Sequence, residues 1–481
     1  MPVILQKAWL FLPELSYLGM ALALFFISLA RRPDTARTQR WALAMALVAV
    51  AAAAVAAGGE GLLFWGAYRV DLFSQVFKLI LTVATALVFM ICRDLSGVED
   101  RYHPEFFMFL STCTLGMMLM VSSVELMSLY LALELSSFSL YILVPLRAGD
   151  DIDVEAAVKY LFIGITASCV MLFGMSYLFG ATHSLYLRDI VAELPLLIHQ
   201  PAAVVGMLLL LSGFFFKLAV FPFHFWAPDV YQGAANQVAA YIATASKAAA
   251  VALLIRITGL TGGTNIYLTD VLIVFCVVSM CLGNLVAIVQ KGIKRMLAYS
   301  TIAHAGYVLM GVLTMTAGGY AGSIFYSLAY MIMNYAAFMV VVVVAAGGRN
   351  LNISDLAGLH RRSPLLALTL MIALFSLAGI PPTAGFTAKF LVFAAAMQQG
   401  YFWLVLVGMI NATVSLYYYL MVIKAAYLDE PANPQEPITL SLSMRLLNYG
   451  LILAMVYLGL WPQHFLAVCD QAVRRVLGGG A

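Results

Sequence analysis

Charged side chains are scarce. Lys, Arg, Asp and Glu supply only 10% of the 481 residues, against about 25% in an ordinary soluble domain. So few cannot cover a water-facing surface. The net charge of +3 is too small to hold a polyanion, which argues against a nucleic-acid partner. The six cysteines, Cys92, Cys113, Cys169, Cys276, Cys281 and Cys469, form no C-x-x-C pair and no cluster with histidine. A zinc site or iron–sulfur cluster held by this chain alone is therefore not expected. Neither G-x-G-x-x-G nor G-x-x-x-x-G-K-[ST] occurs, which removes the usual nucleotide cradles. The expectation is a chain that binds no cofactor and no metal of its own. A small-residue cleavage site is also missing after the first apolar run, which is followed by Arg31-Arg32. That run reads as a retained helix.

What the chain has in abundance is apolar sequence. Hydrophobic residues make up 63% of it, mean hydropathy is +0.96, and stretches long enough to cross a bilayer, roughly 20 residues each, recur from end to end. The pattern predicts an all-α polytopic membrane protein with about 14 transmembrane helices. Their extents are 8–30, 41–57, 69–92, 106–122, 125–146, 155–180, 203–222, 234–258, 268–290, 296–316, 320–346, 364–399, 402–428 and 446–466. Loops after odd-numbered spans carry Arg31, Arg32, Arg37, Arg40, Arg93, Arg101, Arg147, Lys291, Lys294, Arg295, Arg349, Arg361, Arg362 and Arg445, whereas those after even-numbered spans hold little beyond Arg69 and Arg188. The positive-inside rule then puts the odd loops in the cytoplasm and both termini on the outer side. Arg474 and Arg475 in the tail run against this.

Proline falls where a helix would suffer. Pro222 closes the seventh run with Pro228 close behind, and Gly379-Ile380-Pro381-Pro382 interrupts the twelfth. Proline removes a backbone donor and clashes with the preceding turn. In a bilayer such a break survives only where protein or trapped water satisfies the freed groups. Two broken helices, five apart, are the mark of an inverted-repeat transporter. The predicted layout is a three-helix N-terminal segment (1–105), two inverted five-helix repeats (106–258 and 259–428) with broken helices 7 and 12, and a C-terminal helix and tail (429–481).

Ionisable residues also lie deep in apolar sequence: Glu134 in the fifth span, Lys217 in the seventh, Lys247 in the eighth, His304 in the tenth and Lys389 in the twelfth. Each lysine at a helix centre costs about 2.5–3.5 kcal/mol on the insertion scale. A packing role would need only one such pair. Burial draws lysine and glutamate pKa values toward each other and histidine titrates near neutrality already, so the set suits a proton relay with water between its members. A buried ion pair that merely holds helices together is the plain alternative. Lys159 follows Glu155 at i,i+4, a surface-pair spacing, and pattern alone leaves it open between structure and function. His304 could be a packing histidine. His224, beside the Pro222 break, could line a vestibule. Glu125 reads as interfacial, and Arg256 as a side chain snorkelling to the surface. The aromatic and methionine content reads as lipid-facing and core packing.

Three segments carry a resemblance to a known family. They are Phe215–Ala234 (FFKLAVFPFHFWAPDVYQGA), Lys294–Tyr307 (KRMLAYSTIAHAGY) and Leu377–Phe390 (LAGIPPTAGFTAKF). They resemble the N subunit of proton-pumping NADH–quinone oxidoreductase, respiratory complex I, and the likeness covers essentially the whole chain. The Pro-Asp-Val-Tyr form at Pro228–Tyr231 is more similar to the N subunit than to the antiporter-like L and M subunits. The resemblance implies roles at matching positions. Glu134 matches the fifth-helix carboxylate, Lys217 its partner on the broken seventh helix, and Lys247 the central relay lysine. His304 matches the histidine between a cytoplasm-facing and an outward-facing half-channel. Lys389 matches the lysine that passes the proton outward, and Lys159 a sixth-helix lysine of this subunit type. Where the family has a Thr-Pro-Val-like stretch, this chain has Ala235-Asn236-Gln237-Val238, which predicts a straighter start to the eighth helix.

Function follows as an implication of that likeness. The chain would carry protons across a bacterial inner membrane while other subunits, using NADH, FMN, iron–sulfur clusters and quinone, move the electrons. Its partners would be the M and L subunits, small membrane subunits and the lipid bilayer. Two other readings stay open: a channel subunit of a multisubunit sodium–proton antiporter, and a membrane scaffold whose charges only hold helices together.

Overall fold

The computed structural model describes residues 8–29, 34–93, 95, 97–147, 154–197, 200–260, 266–431 and 436–477. Arg31 and Arg32, used above in reading the loops, lie outside them. Thirteen helices among the described residues are long and apolar enough to cross a membrane, from Ala8–Ser28 to Leu442–Leu460. Two shorter apolar helices, Pro364–Ala378 and Ala384–Gln398, follow one another at the place of the broken twelfth span. The order of spans is the one expected.

The eighth span (Asn236–Gly259), the tenth (Ile293–Leu313) and the eleventh (Ala317–Val344) form the centre of the bundle, and the first, second, thirteenth and fourteenth lie at its rim. Small residues let the central helices approach closely. A Cβ added at Gly283 would meet the backbone nitrogen of Ala303 at 2.6 Å, and one at Gly306 the carbonyl oxygen of Cys276 at 2.9 Å. Large apolar side chains such as Phe26, Leu131, Phe162 and Trp403 are exposed on the outside of the bundle, as a lipid-facing surface requires.

Several boundaries differ from the hydropathy reading, each for a local reason. The second span begins at Thr35, not near 41, because Asp34 caps it and accepts from the Arg37 amide at 3.0 Å. Arg37 and Arg40 thus sit on the first helical turns. The last span ends at Leu460 before Pro462, and a separate helix, Gln463–Leu477, folds back along the bundle. It buries Cys469, Ala472, Val473 and Val476, the i, i+3, i+4, i+7 stripe of an amphipathic helix. Arg475, which opposed the charge rule, pairs with Glu60 at 3.3 Å.

The chain also contains a short antiparallel hairpin, Gly61–Leu63 with Tyr68–Val70, absent from the all-helical expectation. Its Ala67 carbonyl accepts from the Val124 amide at 3.0 Å. This ties together the loops after the second and fourth spans.

Both proline breaks are present and share one local geometry. The helix Ser212–Leu218 ends in left-handed Ala219 (φ 58°), and the chain becomes helical again at Trp226. The helix Pro364–Ala378 ends in left-handed Gly379 (φ 89°) and resumes at Ala384. A cis proline peptide lies three residues after each left-handed residue, at Pro222 and at Pro382. At Pro381–Pro382 glycine takes the strained conformation without cost, whereas Ala219 must be held in it by its surroundings.

Candidate functional site

An interrupted helix leaves carbonyl oxygens without their usual i+4 donors, and in a bilayer they need others. At the first break the Trp226 indole donates to the Phe216 carbonyl at 3.0 Å. The Lys247 ammonium donates to the Lys217 carbonyl at 2.8 Å. At the second break the Lys389 ammonium donates to the Ala378 carbonyl at 2.8 Å. Each break therefore holds a buried lysine on the last carbonyls before the turn. Helix C-termini are the negative ends of the peptide dipoles, so these are favourable places for an ammonium.

Lys217 itself is buried and donates to the Ser136 hydroxyl at 2.9 Å. It makes no direct ion pair with Glu134. The Glu134 carboxylate instead accepts a short hydrogen bond from Ser168. Lys247, on the most buried helix, also lies over the Trp226 ring at 4.7 Å. Between it and His304 lies a cavity of about 20 Å³, lined by Lys247, His304, Thr301, Ser327 and Tyr330 with apolar neighbours. One water needs roughly 10–15 Å³ measured that way.

His304 is enclosed by tyrosines. Its Nδ1 bonds the Tyr326 hydroxyl at 2.7 Å and its Nε2 the Tyr419 hydroxyl at 3.3 Å. The Tyr330 ring lies 5.0 Å away, with its hydroxyl donating to Thr301 at 2.7 Å. Tyr307 completes the enclosure at 5.7 Å, and the Lys389 ammonium sits 4.9 Å from that same ring. Lys217, Lys247, His304 and Lys389 are thus strung through the middle of the bundle by hydroxyls, a carbonyl, a cavity and aromatic faces. Such a line can hold and exchange protons.

Other expected residues lie elsewhere. Lys159 is part-exposed and pairs with Glu155 at 2.6 Å and Asp229 at 2.9 Å; Asp229 also holds Arg295 at 2.7 Å. This clasp joins the sixth span, the Trp226–Gly233 helix and the tenth span, apart from the buried line. His224 is buried in the first break against Phe225, with its Nδ1 unpartnered. Glu125 caps the fifth span, accepting from Met127 and Ser128. Asn236 opens the eighth helix, its amide donating to the Arg349 carbonyl at 3.4 Å.

Arg256 does not snorkel. It is 2% exposed and its guanidinium forks onto Asp71 at 3.0 and 3.1 Å, with Nε on the Val121 carbonyl at 3.1 Å. A second fully buried pair, Glu14 with Lys78 at 2.7 Å, is not among the expected site residues. Lys78 lies inside the third apolar run, and the insertion cost applied to the other lysines singles it out equally. The tyrosines around His304 are a correction to the view of aromatics as mere packing. Tyr326 and Tyr330 at i,i+4 on one helix, which meet His304 and Thr301 on another, were the available signal.

Comparison with known proteins gives the geometry its context. The sequence model described as NADH:quinone oxidoreductase/Mrp antiporter, TM, matches residues 123–415. NADH-quinone oxidoreductase subunit N 2 of Syntrophobacter fumaroxidans is 52% identical over 97% of this chain and 99% of that one. NADH-quinone oxidoreductase subunit N of Nitrosomonas europaea is 40% identical over 85% of this chain and 86% of its own length. Among solved structures, a chain of respiratory complex I from Thermus thermophilus aligns with TM-score 0.82 at 31% identity, covering 95% of this chain and 98% of that one. A chain of the Mrp complex from Dietzia aligns with TM-score 0.87 at 20% identity, covering 99% and 98%; that likeness shows a shared fold alone. The chain belongs to the NADH:quinone oxidoreductase/Mrp antiporter membrane family, within its N-subunit branch.

Proposed function

We propose that this chain is a proton-translocating membrane-arm subunit of an NADH–quinone oxidoreductase and that Glu134, Lys217, Lys247, His304 and Lys389 carry the proton. NADH, FMN, iron–sulfur clusters and quinone belong to other subunits in this reading. The observation that carries it is the pairing of each helix break with a buried lysine: Lys247 on the Lys217 carbonyl and Lys389 on the Ala378 carbonyl. A scaffold needs no lysine at either place, since an unwound carbonyl can be satisfied by any neutral donor.

In this reading a proton enters from the cytoplasm near Glu134 and passes to Lys217. A protonated Glu134 no longer attracts the ammonium, and the Lys217 proton then moves on toward Lys247. The cavity carries it to His304, and the tyrosine enclosure to Lys389 and the outer face. Lys159, His224 and the breaks at Pro222, Pro381 and Pro382 set the entry and the two unwound turns. Both termini lie outside, as supported by the lysine and arginine of the odd loops.

Reconstitution of the whole complex in liposomes tests this. Lys247→Ala is expected to assemble and to lose the protons moved through this subunit. An unchanged ratio of protons moved to NADH oxidised removes Lys247 from the path. Sodium-dependent proton movement in an assembly without redox centres would favour the antiporter reading instead.

A further inference from the structure

The polar walls of the cavity between Lys247 and His304 continue beyond it. Thr301 and Tyr330 line the cavity and bond each other at 2.7 Å. The Tyr231 hydroxyl is turned toward Thr301, and the Asn334 amide toward Tyr330. Both side chains are 0% exposed, yet the Tyr231 oxygen and both amide atoms of Asn334 have no hydrogen-bond partner among the described residues. Tyr231 rests against Phe338, ring centroids 6.0 Å apart, and Phe338 follows Asn334 at i+4 on the same face of the eleventh span.

These groups all lie on the cytoplasmic side of the cavity. Thr301 precedes His304 in the tenth span, Ile293–Leu313, whose start follows an odd loop and so faces the cytoplasm. Asn334 follows Tyr330 in the eleventh span, Ala317–Val344, which ends there. Tyr231 sits near the end of the helix Trp226–Gly233, which leads there too.

The eighth span supplies the remaining wall. Asn236 opens it, eleven residues before Lys247, which is about three turns and puts both on one face. Between them that face carries Ala240 and Ala243, side chains too small to fill it. The Asn236 amide donates to the Arg349 carbonyl just past the eleventh span, while its own oxygen is buried and unpartnered. Four polar atoms, from Asn236, Asn334 and Tyr231, are thus left over between the cytoplasmic end and the cavity. Buried polar atoms are nearly always bonded, to protein or to water, so this seam is a wet one.

We propose that water reaches the Lys247–His304 cavity from the cytoplasm past Asn236, Asn334 and Tyr231, a second proton inlet that bypasses Glu134 and Lys217. This rests on the relay reading of Lys247 and on the cytoplasmic placement of the odd loops. A hydronium at the inner end gives its proton to the Lys247 amine once that group has passed its own to His304. The water left behind takes the next proton from the cytoplasm, so no charge accumulates along the column. Transfer runs as in the relay, inward to the centre and out past Lys389. A packing role accounts for Tyr231 against Phe338. It does not account for Asn334, whose place a leucine of nearly the same shape would fill with no polar atom left over.

The test uses the whole complex in liposomes, reading protons moved per NADH oxidised in Lys247→Ala, in Lys217→Met and in Lys217→Met combined with Asn334→Leu. Asn334→Leu removes two unbonded polar atoms and keeps the shape, a change that packing alone tolerates. With two inlets, Lys217→Met keeps part of the protons that Lys247→Ala loses, and adding Asn334→Leu removes that remainder. If Lys217→Met already loses as much as Lys247→Ala, or if adding Asn334→Leu changes nothing, the second inlet is overturned and the relay stands. If Lys247→Ala leaves the ratio unchanged, the relay fails and the inlet with it, having nothing to feed. Should the combined variant not assemble, radiolytic oxidation of the unmodified complex decides, because it marks tyrosines with water beside them. Tyr231 is expected to oxidise several-fold faster than Tyr160, which is also buried and stacks on Trp226 at 4.7 Å; equal rates overturn the inlet.

Discussion

The Lys247 ammonium donates to the carbonyl oxygen of Lys217 at 2.8 Å, so the side chain of one buried lysine is seated on the backbone of the other. The contact exists because Ala219 is left-handed and the helix stops, which strips that carbonyl of its i+4 donor. Lys389 repeats it on Ala378 ahead of left-handed Gly379.

Lys247→Ala is expected to slow proton transfer through the subunit on the order of 10²-fold, the scale of losing a positioned acid–base group. Neutral Lys247→Gln keeps a donor for the Lys217 carbonyl and should assemble more fully, yet transfer no better. Proton uptake by the reconstituted complex, normalised to NADH oxidation, checks both.

Gly379→Ala should damage the second break. At φ 89° a side chain costs about 1–2 kcal/mol, and the new Cβ would stand 3.0 Å from the Lys389 side chain. The expected result is a lower melting temperature of the assembled complex together with reduced proton movement. Ala219→Gly, which relaxes the matching residue of the first break, should do neither.

Tyr326→Phe removes one of the two hydroxyls bonded to His304. The cost should be about 0.5–1.5 kcal/mol of stability, the net worth of a neutral hydrogen bond. Its proton movement should fall less than that of His304→Leu, because Tyr419 still bonds the ring. Equal losses in the two would mean that Tyr326, not the imidazole, limits the step.

Arg256→Met leaves buried Asp71 with the Ser74 amide at 2.8 Å and, as charged partner, the part-exposed Arg69 at 3.4 Å. Breaking a buried pair in this way costs about 3–5 kcal/mol, so poor assembly is expected. Asp71→Asn combined with Arg256→Met should recover most of it. Yield of intact complex after detergent extraction is the measurement; a double variant no better than the single one would show that Arg256 works chiefly through the Val121 carbonyl.

The legible part of the site followed from cost. Lysine or glutamate in apolar sequence is expensive, so Glu134, Lys217, Lys247 and Lys389 stood out, and Pro222 and Pro381-Pro382 marked the breaks. The same reasoning, carried evenly, reaches Lys78; Glu14 hid near a helix start, where a carboxylate is ordinary. Arg256 was misread because an arginine near a helix end has two solutions, water or a partner from a distant span. Asp71, 185 residues away, supplies the second. Each tyrosine around His304 alone is indistinguishable from core packing, and only the i,i+4 spacing of Tyr326 and Tyr330 marks a shared face.

Span count, the two breaks and the family belong to the sequence, because bilayer thickness, the missing proline donor and long motifs are read along the chain. Which charges meet is another matter. Ser136 under Lys217, Ser168 on Glu134, Asp71 on Arg256 and Glu14 on Lys78 depend on which faces of separate helices are turned together. One-dimensional hydropathy carries no rotation angle for a helix whose every face is apolar. Helix packing alone decided those partners.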